Sequence, residues 1–365
     1  MRLESKIINQ EINNGDVIFN FIVKRNSIIF LFLSLLVFVL FALDLVSGDS
    51  ALSVGQVWNV FTGNETDMTT RNSVLSIRLV RVIVAVLIGV ALSISGLQMQ
   101  TVFRNPLAGP SVLGISSGAS MGVAFVVLLS GSLGGVALSK LGFMGEIALS
   151  IAAVIGSLSV MALIVYVSQK VKGNVTLLII GVMIGYVANA VIGVLKFFSV
   201  EEDIRAYVIW GLGSFSRVSG NQMMLFVAIM AILIPLSFLL IKTLNLMLLG
   251  DGYARNLGLN IKRARLLVIT SAGVLTAIVT AYCGPVIFLG LAVPHLCRAI
   301  FQTSDHRVLM PAVLFAGAAL ALVCNLVARM PGFEGALPVN SVTALIGAPV
   351  VASVLFRKRK NELNE

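Results

Sequence analysis

The feature that most constrains this chain is a series of apolar blocks long enough to cross a bilayer. Ser27 to Val46 is one such block, and a transmembrane helix needs about 20 consecutive apolar residues. A soluble core needs no such runs. Composition agrees, with 58% of the 365 residues hydrophobic and only 12% charged. Soluble domains run nearer half and a quarter. The sequence therefore predicts an all-α, polytopic membrane protein.

Ten spans are expected, at 27–47, 76–100, 111–130, 145–168, 176–199, 222–242, 264–282, 286–300, 307–328 and 338–356. The eighth is short and interrupted by Pro294. Residues 1–26 read as a polar N-terminal tail, 27–356 as the transmembrane domain and 357–365 as a basic tail. The block after Lys24 and Arg25 is too long for a typical signal-peptide core and shows no small-residue cleavage site, so it reads as a retained span. Basic residues set the orientation. Lys24, Arg25, Arg104, Lys170, Arg255 through Arg265, Arg298, Arg307 and Arg357 to Lys360 all fall on one side of a ten-span chain. Acidic Glu201, Glu202 and Asp203 fall on the other. Lys and Arg mark cytoplasmic loops, so both termini are expected in the cytoplasm. The net charge of +10 then belongs to those loops, and no nucleic-acid partner is expected.

Small residues recur four apart in three stripes: Ala85/Gly89/Ser93, Gly114/Gly118/Gly122 and Gly181/Gly185/Asn189/Gly193. Such stripes let helix backbones approach closely. The Asn189 stripe also suits a pathway, because an intramembrane amide is costly without a partner. The two halves look alike. The 76–100 helix runs into the broken stretch Asn105–Pro110, and the 264–282 helix runs into Gly284-Pro285. Paired interruptions of this kind point to an inverted repeat around a central pathway.

Helix centres are nearly free of charge, which argues against an ion-driven carrier, since such carriers place relays inside the bilayer. No GxxxxGK[ST] loop occurs, nor any Ser/His/Asp or HExxH arrangement, which argues against a membrane-embedded enzyme. Cys283, Cys297 and Cys324 lack metal-ligand spacing and read as small apolar packers. His295 reads as a packed residue. Energy for active transport must then enter through a partner. The longest candidate docking surface is the inside segment 243–263, which on its residues alone reads equally as a solvated connector; there Asp251 is expected to cap a short helix and Gly258 to end it in a left-handed conformation.

Many ordered segments from Arg78 onward resemble one family, the FecCD-type permease subunits of bacterial importers for iron–siderophore chelates, heme and vitamin B12. They are Ile77–Arg81, Ser95–Gln100, Arg104–Ala108, Leu113–Ala119, Ala254–Leu259, Gly290–His295, Asp305–Arg307, Leu337-Pro338 and Gly347–Pro349. The resemblance implies a type II ABC importer permease fold with ten helices. It implies two permease copies around one pathway, two ATPase subunits inside and an extracytoplasmic binding protein. The permease itself would bind no cofactor, the ATP and Mg being used by the partner ATPase.

The resemblance also assigns residues. The segment 251–259, with Asp251, Tyr253, Ala254, Arg255, Asn256, Leu257 and Gly258, is the expected coupling helix. Arg78, Arg81 and Arg329 are expected to face outward and pair with acidic residues of the binding protein, for which a bidentate guanidinium suits better than Lys. Asn105 and Leu107 match an inner gate, and Asn174 and Val175 a second constriction, where this chain departs from the small hydroxyl residues of the vitamin B12 permease. From the stripe itself, not from the resemblance, Gly181, Gly185 and Asn189 are candidates to line the pathway. Residues 201–217 are expected to form a short outer helix. The cargo reads as an iron chelate, with heme and vitamin B12 as alternatives, imported across the inner membrane.

Overall fold

Inside a bilayer, backbone polar groups must be paired within their own segment, and a helix does this alone. A computed structural model describes residues 2–48, 52–65, 67–132, 143–171, 174–218, 220–329 and 337–362; before Val23 and after Ala352 only the backbone is described. All regular structure among these residues is helical. The chain begins with α1 (Arg2–Val46), α2 (Val54–Thr62) and α3 (Met68–Asn72). A π-helical turn, Ser73–Arg78, runs into α4 (Leu79–Phe103), and a 3-10 turn, Pro110–Leu113, precedes α5 (Ile115–Ser132). There follow α6 (Phe143–Lys170), α7 (Asn174–Phe197), α8 (Glu201–Gly211), α9 (Gly220–Phe238), α10 (Ile241–Leu248) and α11 (Asp251–Asn256). The last four are α12 (Ile261–Cys283), α13 (Leu289–Phe301), α14 (His306–Ala328) and α15 (Val339–Glu362).

Helices stand at all ten expected span positions, but not all are single crossings. Among the described residues, six helices are long and apolar enough to cross alone: α1 from Val23, α4 with its preceding turns, α6, α7, α12 and α14. The expected span 222–242 is instead α9 and α10, bent by 43°. At the bend Leu239 and Leu240 make tightened i→i+3 bonds, and the Ser237 hydroxyl donates to the Leu233 carbonyl at 2.9 Å. Such back-bonding bends helices, and Pro235 lies within the same turn. The remaining positions hold shorter apolar stretches, Ile115–Leu129, Leu289–Phe301 and Val339–Ala352. The 13 residues of α13 extend about 20 Å at 1.5 Å per residue, less than the ~30 Å hydrocarbon core.

Local signals set the ends. Ser53 and Gln56 form a capping box at α2, Asn260 caps α12, and Asp305 caps α14. The backbone is helical from Arg2 straight into the first span. The expected outer helix is present as α8. Helices α2 and α3 were not anticipated; α2 buries Val57 and Val60 while Val54, Trp58 and Phe61 stay exposed.

At the centre is α4, buried along most of its length and packed by α12, α13 and α14. Its neighbours approach backbone to backbone. A Cβ at Gly96 would collide with the Gly290 carbonyl of α13, and one at Gly89 with the Gly317 carbonyl of α14. The Gly118 stripe packs α5 on α6 in the same way, a Cβ at Gly118 lying 2.6 Å from the Gly156 carbonyl. The first broken stretch packs on α13 here, since a Cβ on Gly290 would come within 2.8 Å of the Pro110 ring.

At the opposite end of α4 from the Asn105 break, a buried network fastens α1. Asp44, fully buried, faces Arg329 at 3.5 Å and accepts a hydrogen bond from Asn325 at 2.7 Å. Arg78 donates to the Leu45 and Val46 carbonyls at 3.1 and 2.6 Å, and Arg329 to the Ser47 carbonyl at 2.9 Å. The last carbonyls of a helix lack intrahelical partners and carry partial negative charge, so two guanidinium groups there satisfy both needs. Removing one partner of a buried pair costs about 3–5 kcal/mol, because a charge is left uncompensated. Asp44→Ala should therefore lower the melting temperature sharply in detergent. The double variant Asp44→Ala/Arg329→Met should be less destabilised than Asp44→Ala alone; thermal unfolding of the two variants measures the difference.

Candidate transport, gating and docking sites

The expected coupling segment forms a short helix, α11, in the polar connection between α10 and α12. Its N-cap is Gly250, with φ +99°, so Asp251 does not cap it as the sequence suggested. Asp251 is the first helical residue and accepts from Arg104 at 2.6 Å, with Arg265 at 3.7 Å. The other end is as expected. Gly258 has φ +85°, its N–H bonds the Arg255 carbonyl, and the Leu259 N–H reaches the Ala254 carbonyl, both at 2.9 Å. That is the Schellman arrangement, which needs a left-handed residue. Ala254 is fully buried and anchors the helix, whereas Tyr253 and Leu257 are 74% and 61% exposed. Arg255 and Asn256 are exposed as well.

The first pair of expected gate residues, Asn105 and Leu107, follows directly on α4. Arg104 ends that helix in a left-handed conformation with φ 48°. Asn105 then makes a side-chain turn, its Oδ1 accepting from the Leu107 N–H at 2.9 Å, and Leu107 stands 49% exposed. Of the second pair, Val175 is 69% exposed at the start of α7, and the Asn174 side chain lies outside the described residues.

Just before the gate turn, α4 carries a polar cluster that sequence reasoning missed. The Gln100 carbonyl oxygen accepts a short hydrogen bond from Arg298 of α13, and its amide donates to the Leu291 carbonyl at 3.2 Å. The Thr101 hydroxyl meets His306 Nε2 of α14 at 2.8 Å. His306 Nδ1 in turn meets Asn245 Oδ1 of α10 at 2.7 Å, and the Asn245 amide donates to Asp305 at 2.6 Å. Burial raises the Asp305 pKa, but hydrogen bonds from the Arg307 N–H and Asn245, with nearby positive charge, outweigh it and hold the carboxyl below its usual value. The Asp305-His306-Arg307 run was visible in the sequence, but its partners sit on α4 and α10, far away in the chain.

The arginines expected to dock the binding protein differ in exposure. Arg78 is 2% exposed and Arg329 8%. Both are engaged with the end of α1, and Gly48 packs beneath them, a Cβ there lying 2.6 Å from the Arg78 guanidinium carbon. Arg81 is half-buried. Beside Arg329 is a cavity of about 210 Å³, lined also by Arg217, Ser214, Ser216 and Asn325.

The Gly181 stripe divides along α7. Gly181 is buried against the Val112–Leu113 turn. Gly185 is half-buried near the Ser117 hydroxyl, and a Cβ at Gly193 would meet nothing. Asn189 is exposed on the chain's own surface, flanked by exposed Tyr186 and Val187.

Comparison with known proteins agrees with this architecture. The model of the FecCD transport family matches residues 35–357. The chain is 33% identical over 314 residues to a hemin transport system permease protein, HmuU, of Yersinia pestis, covering 86% of this chain and 90% of that one. It is 35% identical over 283 residues to the vitamin B12 import system permease protein BtuC of Klebsiella pneumoniae, covering 78% and 82%. A solved structure described as an inward-facing conformation of a metal-chelate type ABC transporter superposes with a TM-score of 0.78 at 27% identity, covering 91% of this chain and 99% of that one. The fold is thus that of a type II ABC importer permease, and the chain belongs to the FecCD transport family.

Proposed function

We propose that this permease forms, with a second copy of itself, the pathway by which an ATP-driven importer takes in an iron chelate handed over by an extracytoplasmic binding protein. The observation that carries the reading is α11. It is a six-residue helix held in place by one buried alanine, presenting Tyr253 and Leu257 to solvent in a loop too polar to span. Exposed apolar side chains rimmed by charge mark a surface made for a partner. Two ATPase subunits on the cytoplasmic side are the partners that supply what this chain lacks, since it carries no P-loop of its own.

The exposed face of α7 supports a second copy. An amide such as Asn189 facing lipid is costly, and a pathway between two copies would hydrate it. Gly185 and Gly193 keep that wall free of large side chains, which suits a large, preassembled cargo that must pass without binding tightly. The turn Asn105–Leu107 and the start of α7 at Asn174-Val175 would narrow the inner end. Basic loops set the orientation, with both termini inside the inner membrane.

For docking, burial of Arg78 and Arg329 shifts the emphasis. Both hold α1, so their contribution to the binding protein would come by shaping the outer surface around the cavity at Arg329, with Arg81 the more accessible group. Names among the relatives favour a second reading of the cargo: one is named for hemin and another for vitamin B12. Uptake by the assembled importer in proteoliposomes separates them. A ferric siderophore should be taken up with the binding protein present, and saturating heme or cobalamin should not compete; the reverse pattern would reassign the cargo.

The coupling surface has its own test. Arg255→Asp/Leu257→Asp changes exposed positions and should leave thermal stability of the permease unchanged. It should abolish co-purification of the partner ATPase. ATPase recovered at the unsubstituted level would remove α11 from the interface.

A further inference from the structure

A permease of this kind needs its partner's movement to reach the gate, and one side chain joins the two places. Arg104 is the residue directly before the gate turn, and its guanidinium group reaches across to the coupling segment. There Nη2 donates to Asp251 Oδ1 at 2.6 Å and to the Met247 carbonyl at 3.2 Å. Met247 lies in the last turn of α10, and Asp251 is the first residue of α11. Arg104 therefore clamps the joint between those helices. The joint is a glycine turn in open space: Gly250 has φ +99° and ψ 152°, a region essentially closed to other residues, and a Cβ at Gly250 or Gly252 would meet no atom within 4 Å.

The backbone of Arg104 adds a second observation. Arginine at φ 48°, ψ 36° is uncommon, since a Cβ is disfavoured in the left-handed region. That conformation turns the chain out of α4 into Asn105. The Asn105 N–H bonds the Gln100 carbonyl at 3.2 Å, and Ala108 N–H the Asn105 carbonyl at 3.1 Å. Together with the Asn105 side-chain bond to Leu107, these make residues 104–108 one compact turn. The body of α4 is meanwhile pinned one turn earlier, through Gln100 to α13 and Thr101 to α14. Movement of α11 about Gly250 would pull on Arg104 and so on the turn behind it, while α4 stays in place.

We propose that Arg104 is a positioning residue that carries movement of the ATPase-docking helix to the gate turn through its ion pair with Asp251. The proposal rests on the importer reading above and deepens it. The pair is nearly half exposed on both sides, at 44% and 48%. Exposed pairs add little to stability, so the role of this one lies in linking two moving parts. Arg265, at 3.7 Å, holds the Asp251 carboxylate from the α12 side and keeps it aimed when α11 shifts.

The test uses the assembled importer, permease with its ATPase and binding protein, in proteoliposomes. Cargo transported per ATP hydrolysed is compared for Arg104→Gln, Asp251→Asn and the double variant. Each single change should lower the ratio about tenfold, a usual coupling between sites. The double should fall no further than the worse single, and Arg104→Lys should recover part of the ratio. A second measurement reads the gate itself. With Leu107→Cys in place, the rate of thiol labelling should change on adding nucleotide, and Arg104→Gln should remove that response. Ratios at the unsubstituted level, single effects that multiply in the double, or labelling that still follows nucleotide would overturn the link. A complex of unsubstituted chain that contains no ATPase would overturn the importer reading, and this proposal with it.

Discussion

The structure depends on backbone-to-backbone contact along α4. In a bilayer the lipid is as apolar as leucine, so burying apolar side chains does not by itself bring helices together, and close van der Waals packing must do so. Gly96 against Gly290 and Gly89 against Gly317 leave no room for a Cβ. They draw α13 and α14 onto α4 and fix where its two ends lie. One end then meets the tip of α1 and the other opens into the Asn105–Ala108 turn.

Polar chemistry is pushed to those two ends. At one end Asp44, Arg329 and Arg78 are buried together and close the carbonyl end of α1. At the other, Gln100, Thr101 and Arg104 each reach a different neighbouring helix. Between them the helix offers Ser95, whose hydroxyl is satisfied by the Ala272 carbonyl and Thr276 of α12. A rod held at both ends by buried polar contacts, with the proposed Arg104 link at one of them, suits a permease that must alternate access while its helical bundle stays intact.

Much of this was legible in the sequence, because it is local. Apolar length gave the span positions, Gly258 announced its left-handed turn, and Asn105-Pro106 marked the end of α4. The rest depends on contacts between residues remote in the chain. Nothing local in the sequence shows that Arg329 is paired with Asp44, 285 residues away. His306 reads as a helix start until Thr101 and Asn245 close on it. Asp251 looked like a cap because acidic residues favour helix starts, yet a glycine with positive φ freed that carboxylate to face two arginines. The bend after Phe238 escaped notice because Pro235 is compatible with a continuous transmembrane helix, and the break depends on how the last turn closes.

In the proposed role the chain is a passive pathway whose energy comes from an attached ATPase. The most direct measurement is transport in proteoliposomes under two driving forces. With the ATPase and binding protein present, uptake of a ferric chelate should require ATP and be insensitive to collapsing proton and sodium gradients. Uptake by the permease alone, driven by an ion gradient without ATP, would contradict the account.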